Sequence, residues 1–385
     1  MVSENDVLAA LATVTDPEIG RPITELEMVK NVTVDGPNVV VEVLLTVAGC
    51  PLKDRITRDV TEAVKKVAGV EHVEVVLGVM TDDQRQQMVS RLRAGAPQAA
   101  ERPISFWQEG SHTRAILVAS GKGGVGKSSV TANLGVALAQ QGHKVAIVDC
   151  DIYGFSIHRV LGVTGRPTVL NNMFLPLEAH GVKVVTMGFF VPDDQAIIFR
   201  GPMLHKIVQQ FLADGYWDDP DFVLFDLPPG TGDVPLSLAQ LLPGADMLVV
   251  TTPQEAAQKV AVRAGKMTEQ VDLRLAGVIE NMSYYVCPDC ETKHALFGEG
   301  GGAELAEALG TKLLGQIPMD QHLREGSDAG VPIVVSDPDS PASLAIHAIA
   351  RAIAKSATSL VGKSLPVMSF GDGRAPAGEH AGHTH

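Results

Sequence analysis

Cysteine, aromatic residues and positive charge are all scarce in this chain of 385 residues. There are four cysteines, Phe, Tyr and Trp together make up 4%, and Lys and Arg number 31 against 45 Asp and Glu. The formal net charge of −14 disfavours DNA and anionic membrane as partners, because both reward clustered Lys and Arg. The opening "MVSENDVLAALATV" carries early acids and no long apolar core, so it does not read as an export signal. No window reaches the roughly 18 consecutive apolar residues of a membrane span. Four cysteines without an export signal point to a reducing, cytoplasmic compartment. There a Cys-x-x-Cys pair signals metal or redox work more often than a structural disulfide. A hydrophobic share of 45% and a charged share of 20% then place the chain among globular proteins long enough for two or three domains.

Residues 1–90 read as a small α+β unit. A helix is expected near 4–13, followed by two β-rich runs in "EMVKNVTVDGPNVVVEVLLTV" that meet at Asp35-Gly36, a hairpin signal. A helix follows Pro51, and "VEHVEVVL" alternates as a third strand. Residues 91–112 are rich in Ala, Pro and Gln and read as a helical end and a linker.

The pattern changes over 113–361. Short apolar runs recur at "AILVAS", "KVAIVD", "VKVVTM", "FVLFD", "DMLVVTT", "AGVIEN" and "KLLGQIP", most of them separated by amphipathic helical segments. Continuous apolar strands alternating with helices imply an α/β fold, a mainly parallel sheet covered by helices on both faces. Ligands in such folds sit at the carboxyl ends of strands. Residues 362–385 turn Gly-, Pro- and His-rich and read as a disordered tail. Its His380, His383 and His385 are at most adventitious metal ligands.

The strongest local signal is "GKGGVGKS", residues 121–128, between an expected strand and an expected helix. Gly121, Gly123, Gly124, Val125, Gly126, Lys127 and Ser128 satisfy the phosphate-loop pattern of a P-loop NTPase. The glycines let backbone N–H groups turn inward around a phosphate, Lys127 reaches the β- and γ-phosphates of ATP, and the Ser128 hydroxyl can ligate Mg²⁺. Asp149 and Asp151 end the strand in "KVAIVDCDIYGFS", where alternation puts both on one face and Cys150 on the other, as a small buried hydrophobe. Aspartates there suit magnesium and water positioning. Asp226 ends "FVLFD" and is the expected acidic partner for Mg²⁺. Gly230 and Gly232 give the next loop the freedom to sense a γ-phosphate.

Lys122, a second lysine in the loop, makes it resemble the deviant Walker A ATPases of septum positioning, chromosome partition, arsenite pumping and the nitrogenase iron protein. The resemblance implies that Lys122 acts in trans, on the nucleotide of a partner in a homodimer, and that Asn281 contacts the adenine. The stretches "DLPPGTGD", "TTPQEAA", "ENMSYYVCPDC" and "LLGQIPMD" resemble the Mrp/ApbC-type iron–sulfur cluster carriers within that family. "TDPEIGRPITELEMVKNV" and "VAGCPL" look like the small iron–sulfur-assembly domain fused ahead of such carriers. The tail and Lys259, where many relatives carry an acid, depart from the pattern.

Cys287 and Cys290 supply two thiolates, whereas a zinc or iron–sulfur site takes four ligands. A face-to-face homodimer would present the pair twice at its two-fold axis, enough for one bridging [4Fe–4S] cluster. Zinc in the same four-thiolate set, or a redox disulfide, are the alternatives. His294 is a further candidate ligand, though imidazole is the rarer cluster ligand. Cys50 precedes Pro51 and a helix, where a thiol gains thiolate character. By resemblance, the domain it sits in recruits clusters or recipients.

The expected activity is thus an ATP-binding, ATP-hydrolysing carrier that passes clusters from assembly scaffolds to apo-proteins. The alternatives are an ATP-gated electron donor, which needs a dedicated redox partner, and a positioning or partition ATPase. The latter needs a DNA- or membrane-binding surface, and the helix near 341–355 has no basic, aromatic-rich face.

Overall fold

The computed structural model describes residues 2–47, 52–92, 103–151, 154–186, 189, 201–287, 289–290 and 292–356. Cys50 and the His-rich tail lie outside them.

The first unit runs α1 (Glu4–Leu11), β1 (Val29–Asp35), β2 (Asn38–Leu45), α2 (Lys53–Lys65), β3 (His72–Val79) and α3 (Asp82–Leu92). Ser3 caps α1, its hydroxyl accepting the Asp6 N–H at 3.2 Å. β1 and β2 form an antiparallel hairpin, and β3 joins β2 in parallel. Alternate residues Val39, Val41 and Val43 of β2 are fully buried, and α2 supplies Ile56, Val60 and Val64 to the same core.

The second unit begins with β4 (Arg114–Ser120), α4 (Lys127–Gln140), β5 (Val145–Asp149) and the single turn α5 (Ile157–Val160). Three short strands follow, β6 (Thr168–Leu170), β7 (Met173–Leu175) and β8 (Leu177–Ala179), then β9 (Val182–Thr186), α6 (Gly201–Asp214), β10 (Phe222–Asp226), α7 (Asp233–Leu241), β11 (Ala245–Thr251) and α8 (Glu255–Lys266). β12 (Leu273–Val286), β13 (Lys293–His294), α9 (Gly301–Ala308), β14 (Leu313–Met319), α10 (Gln321–Ala329), α11 (Ile333–Ser336) and α12 (Pro341–Lys355) complete it.

Among the described residues the main sheet has nine strands. Its order is β13-β12-β11-β4-β10-β5-β9-β8, with β14 also paired to β12. All pairs are parallel except those that add β8 and β13. The sheet is buried on both faces, which is why its strands read as unbroken apolar runs. In β4, Ala115, Leu117 and Ala119 join the core on one face, while Ile116 and Val118 join the core on the other, against α4 and α12. The fold is that of a P-loop NTPase, with the carboxyl ends of β4, β5 and β10 side by side.

The hairpin β6–β7 is shared between two cores, with Phe174 packed on one face of the main sheet. Leu170, Met173 and Leu175 instead bury themselves with Tyr216 in the core of the first unit. Thr168 donates its hydroxyl to Glu18 Oε1 at 3.0 Å across the same contact. Residues of the "TDPEIGRPI" stretch thus serve as the dock between the two units.

Candidate functional site

The loop 121–126 leaves β4 and enters α4 at Lys127. Gly126 stands at the helix entry with φ +81, and a Cβ there would lie 2.3 Å from Asn281 Nδ2. The position therefore demands glycine for both backbone and space. Val125 is buried, and its carbonyl accepts the Asn281 Nδ2–H at 2.9 Å, so β12 pins the loop from the side.

Lys127 is only 7% exposed and donates to Asp226 Oδ1 at 2.6 Å. The Ser128 hydroxyl donates to Asp226 Oδ2 at 2.5 Å. The hydroxyl of Thr131 lies 3.0 Å from Asp226 Oδ1 and 2.9 Å from the Lys127 carbonyl. Asp226 is fully buried, so this ring of donors is what makes its charge tolerable. Thr131 was not singled out from the sequence, although four residues after Lys127 is one turn of the same helix face.

Asp149 stands beside Asp226 in the parallel register of β5 and β10 and is also fully buried. Its Oδ1 accepts the Asp151 N–H at 3.1 Å, and its Oδ2 accepts those of Ser156 and Ile157 at 2.9 and 3.1 Å. Burial first, then the neighbouring Asp226 charge, push its carboxyl up to about 7 against the pull of those three bonds. Asp149 thus organises the loop 150–157. β5 ends at Asp149, and Asp151 lies in that loop, half-buried, its Oδ1 accepting the Gly154 N–H at 3.0 Å. Cys150 packs among Ala146, Val148 and Leu117 in the core of the opposite face.

Lys122 is half-buried, and its Nζ donates to Gln254 Oε1 at 3.1 Å within the same chain. Gln254 caps the start of α8, a partner no local pattern pointed to. Gly230 donates its N–H to the Ser120 carbonyl at 2.9 Å, and Gly232 stands at the start of α7. Gly123 and Gly124 are exposed. Lys259 is exposed and pairs with Glu255 one turn away.

Cys287 follows directly on β12, and β13 pairs back on the end of that strand, Tyr285 opposite His294. Thr292 closes the turn between them twice. Its carbonyl accepts the Cys287 N–H at 3.0 Å, and its hydroxyl lies 3.2 Å from Cys290 Sγ. Cys287 is half-buried and Cys290 exposed. The Thr292 hydroxyl, its backbone and the Cys287 thiol together lower the Cys290 thiol below its usual range. His294 is exposed on β13. Among the described residues no group of three or more His, Cys, Asp or Glu could hold a metal, so the described part of the turn offers two thiols. No helix among them is long and apolar enough to cross a membrane.

This geometry can bind a nucleoside triphosphate beside Asn281 of β12 and present two thiols just past the carboxyl end of the same strand. Comparison with known proteins agrees. Residues 111–354 match the family model of the NUBPL iron-transfer P-loop NTPase, and residues 4–75 that of an iron-sulfur cluster assembly protein. An iron-sulfur cluster carrier protein of Mycobacterium tuberculosis is 49% identical over 367 residues, covering 93% of this chain and 95% of that one. Its counterpart in Synechocystis is 41% identical over 360 residues, covering 92% and 98%. Among solved structures, a nucleotide-binding protein of Archaeoglobus fulgidus in complex with ADP superposes with a TM-score of 0.51. It is 38% identical and covers 56% of this chain and 86% of that one. Phosphate loop, cysteine pair and assembly domain occur here in one order, along nearly the whole length of those relatives: the chain belongs to the iron–sulfur cluster carrier family of P-loop NTPases.

Proposed function

We propose that this protein binds and hydrolyses ATP and carries a [4Fe–4S] cluster, which it receives from assembly scaffolds and delivers to apo-proteins in the cytoplasm. The observation that carries this reading is β12. One strand holds Asn281 against the phosphate loop and, six residues on, Cys287 at its exposed end.

At the nucleotide, Lys127 takes the β- and γ-phosphates and the N–H groups of residues 121–126 line the cradle. The Ser128 hydroxyl and the Asp226 carboxylate converge within 2.5 Å, a hard-oxygen donor set that suits Mg²⁺. They would hold the ion, which supplies charge neutralisation on the phosphates. Asp149 fixes the loop that presents Asp151 to the site. Lys122 leaves Gln254 to act on the nucleotide of a partner chain, and Asn281 takes the adenine. The chain then works as a homodimer. Cys287 and Cys290 of two copies complete four thiolates around the cargo, and the exposed rim position eases hand-over. The first unit and the nucleotide-binding unit act as separate domains, joined near residues 91–112.

Anaerobic reconstitution tests this. Wild type should take up about four iron atoms per dimer and transfer them to an apo-protein in an ATP-dependent manner. Cys287→Ala or Cys290→Ala should lose the iron and keep nucleotide binding, whereas His294→Ala should keep both. A cluster held by a strictly monomeric form, or one that survives loss of both cysteines, refutes the reading.

A further inference from the structure

β12 does not keep one register along its length. Its register against β14 shifts between Asn281 and Tyr285, and Met282 in that gap has φ +55, a conformation rare outside glycine. The break lies between two anchors. On one side Asn281 holds the phosphate loop through the Val125 carbonyl. On the other the chain leaves as a short ribbon, Tyr285 and Val286 paired with His294 and Lys293 on either side of Cys287 and Cys290.

The residue before Asn281 ties the base of this ribbon together. Glu280 is fully buried, and its carboxylate gathers three neutral donors. The Ser283 hydroxyl bonds to it across the break at Met282. Gly302 N–H, where the ribbon returns into α9, donates at 2.5 Å, and Gln316 Nε2 of β14 donates at 2.7 Å. The return is packed without spare room. A Cβ on Gly302 would meet Glu280 Cβ at 2.7 Å, and one on Gly301 would meet the Pro253 carbonyl oxygen at 2.4 Å. Pro253 adjoins Gln254, the residue that holds Lys122. Both ends of the ribbon therefore rest on parts of the nucleotide site.

We propose that Glu280 is a positioning residue that clasps the base of the cysteine ribbon, so that a shift of the phosphate loop, received by Asn281, turns the ribbon at Met282 and changes the exposure of Cys287 and Cys290. The functional consequence rests on the cluster-carrier reading above. A clasp spanning the break has a mechanical role that an ordinary buried carboxylate lacks. The pairings of Asn281 and Tyr285 with β14 hold each side of Met282 separately, and the Ser283 bond is the side-chain tie that crosses the break directly. With it, residues 280–302 move together.

The test uses the full chain without cluster, under anaerobic conditions. Alkylation of Cys287 and Cys290 by iodoacetamide is followed by peptide mass spectrometry, with and without saturating Mg-ATP or Mg-ADP. In wild type, nucleotide should change the Cys290 rate by about fivefold, the lower end of ordinary coupling between sites. Glu280→Gln, whose amide keeps the shape but turns one acceptor into a donor, should cut that change below about twofold with nucleotide affinity unchanged. Ser283→Ala, which leaves the Gly302 and Gln316 bonds in place, should do the same and serves if Glu280→Gln fails to fold. Equal alkylation rates in wild type with and without bound nucleotide overturn the proposal, as does full nucleotide dependence in both variants. Iron uptake separates this from the carrier reading. Cysteine variants that keep their iron refute the carrier, whereas normal iron uptake with nucleotide-independent alkylation refutes only the clasp.

Discussion

The phosphate-loop site and the cysteine turn, joined by one strand, are built on opposite principles. Around the loop, Lys127, Asp149 and Asp226 are buried, and each of the two carboxylates is held by several partners. Asp226 collects Lys127, Ser128 and Thr131, and Asp149 collects three backbone N–H groups. At the turn, Cys290 is exposed with one hydroxyl against its sulfur, and among the described residues the ligand set stops at two. A site whose chemistry is always the same phosphate gains from being fixed before the ligand arrives. A site that must release what it holds is better left shallow and incomplete. Such a division predicts that damage to one end leaves the other intact.

The largest effect tests that separation directly. Lys127→Ala removes the cation paired with the buried Asp226 carboxylate. Nucleotide affinity should fall by about a hundredfold or more, the scale for deleting one partner of a buried charge contact. Breaking the buried pair with Asp226 should also cost the fold about 3 kcal/mol or more. Iron uptake per dimer should be unchanged at a temperature where the variant is folded. Calorimetric titration with Mg-ATP, thermal unfolding and iron analysis on the same preparation read all three. Loss of iron together with nucleotide in a folded sample would break the comparison.

How far each region could be read from sequence follows from where its contacts come from. The strands were legible because burial on both faces leaves an unbroken apolar run, as in Ile116–Val118 and Leu224. The phosphate loop was legible because Gly126, Lys127 and Ser128 act through contiguous backbone. The short strands β6 and β7 were not expected. Three residues carry no period, and Leu170, Met173 and Leu175 become core only by docking on another unit. Asp149 was expected to attend to magnesium by its place at a strand end. In the structure its oxygens take the N–H groups of residues 151, 156 and 157, a loop conformation that no spacing reveals. Gln254 against Lys122 and Gln316 against Glu280 come from other elements and left no local trace. The break at Met282 hides within "ENMSYYV", whose residues suit a plain strand.

Asp149 sharpens the comparison through pH. Its folded carboxyl keeps its proton to about pH 7, while the unfolded chain releases it near the ordinary value of 3.8. Between those values the native state binds more protons than the unfolded one, so this residue's contribution is full below 3.8 and lost as pH rises through about 7. Asp149→Asn removes the titration and substitutes a fixed cost, because its amide turns one acceptor oxygen into a donor facing backbone N–H groups. The urea midpoint of the variant should therefore gain on wild type as pH climbs from about 4 to about 7, then run parallel above that. A constant offset across this range would show that burial and the Asp226 charge do not hold the proton there. Alkylation of Cys290, just past the carboxyl end of β12, should follow its own thiolate population in both proteins.

The smallest effect concerns the third described cysteine. Cys150 sits next to Asp149 in sequence yet only 4% of it is exposed, on the face of β5 opposite the phosphate loop. Burial raises its thiol well above the usual range, with the Asp149 charge adding to the effect, so it keeps its proton. Its work is to fill space against Ala146, Val148 and Leu117. Cys150→Ala should cost about 1 kcal/mol, the transfer free energy of a group near the size of a methylene, plus whatever cavity remains. Iron uptake, nucleotide affinity and the nucleotide response of Cys290 should all match wild type. Urea unfolding reads the first and the reconstitution assay the rest. Iron loss in this variant would mean that cluster ligation reaches into the core beside the nucleotide site, and the contrast between a closed site and an open turn would no longer hold.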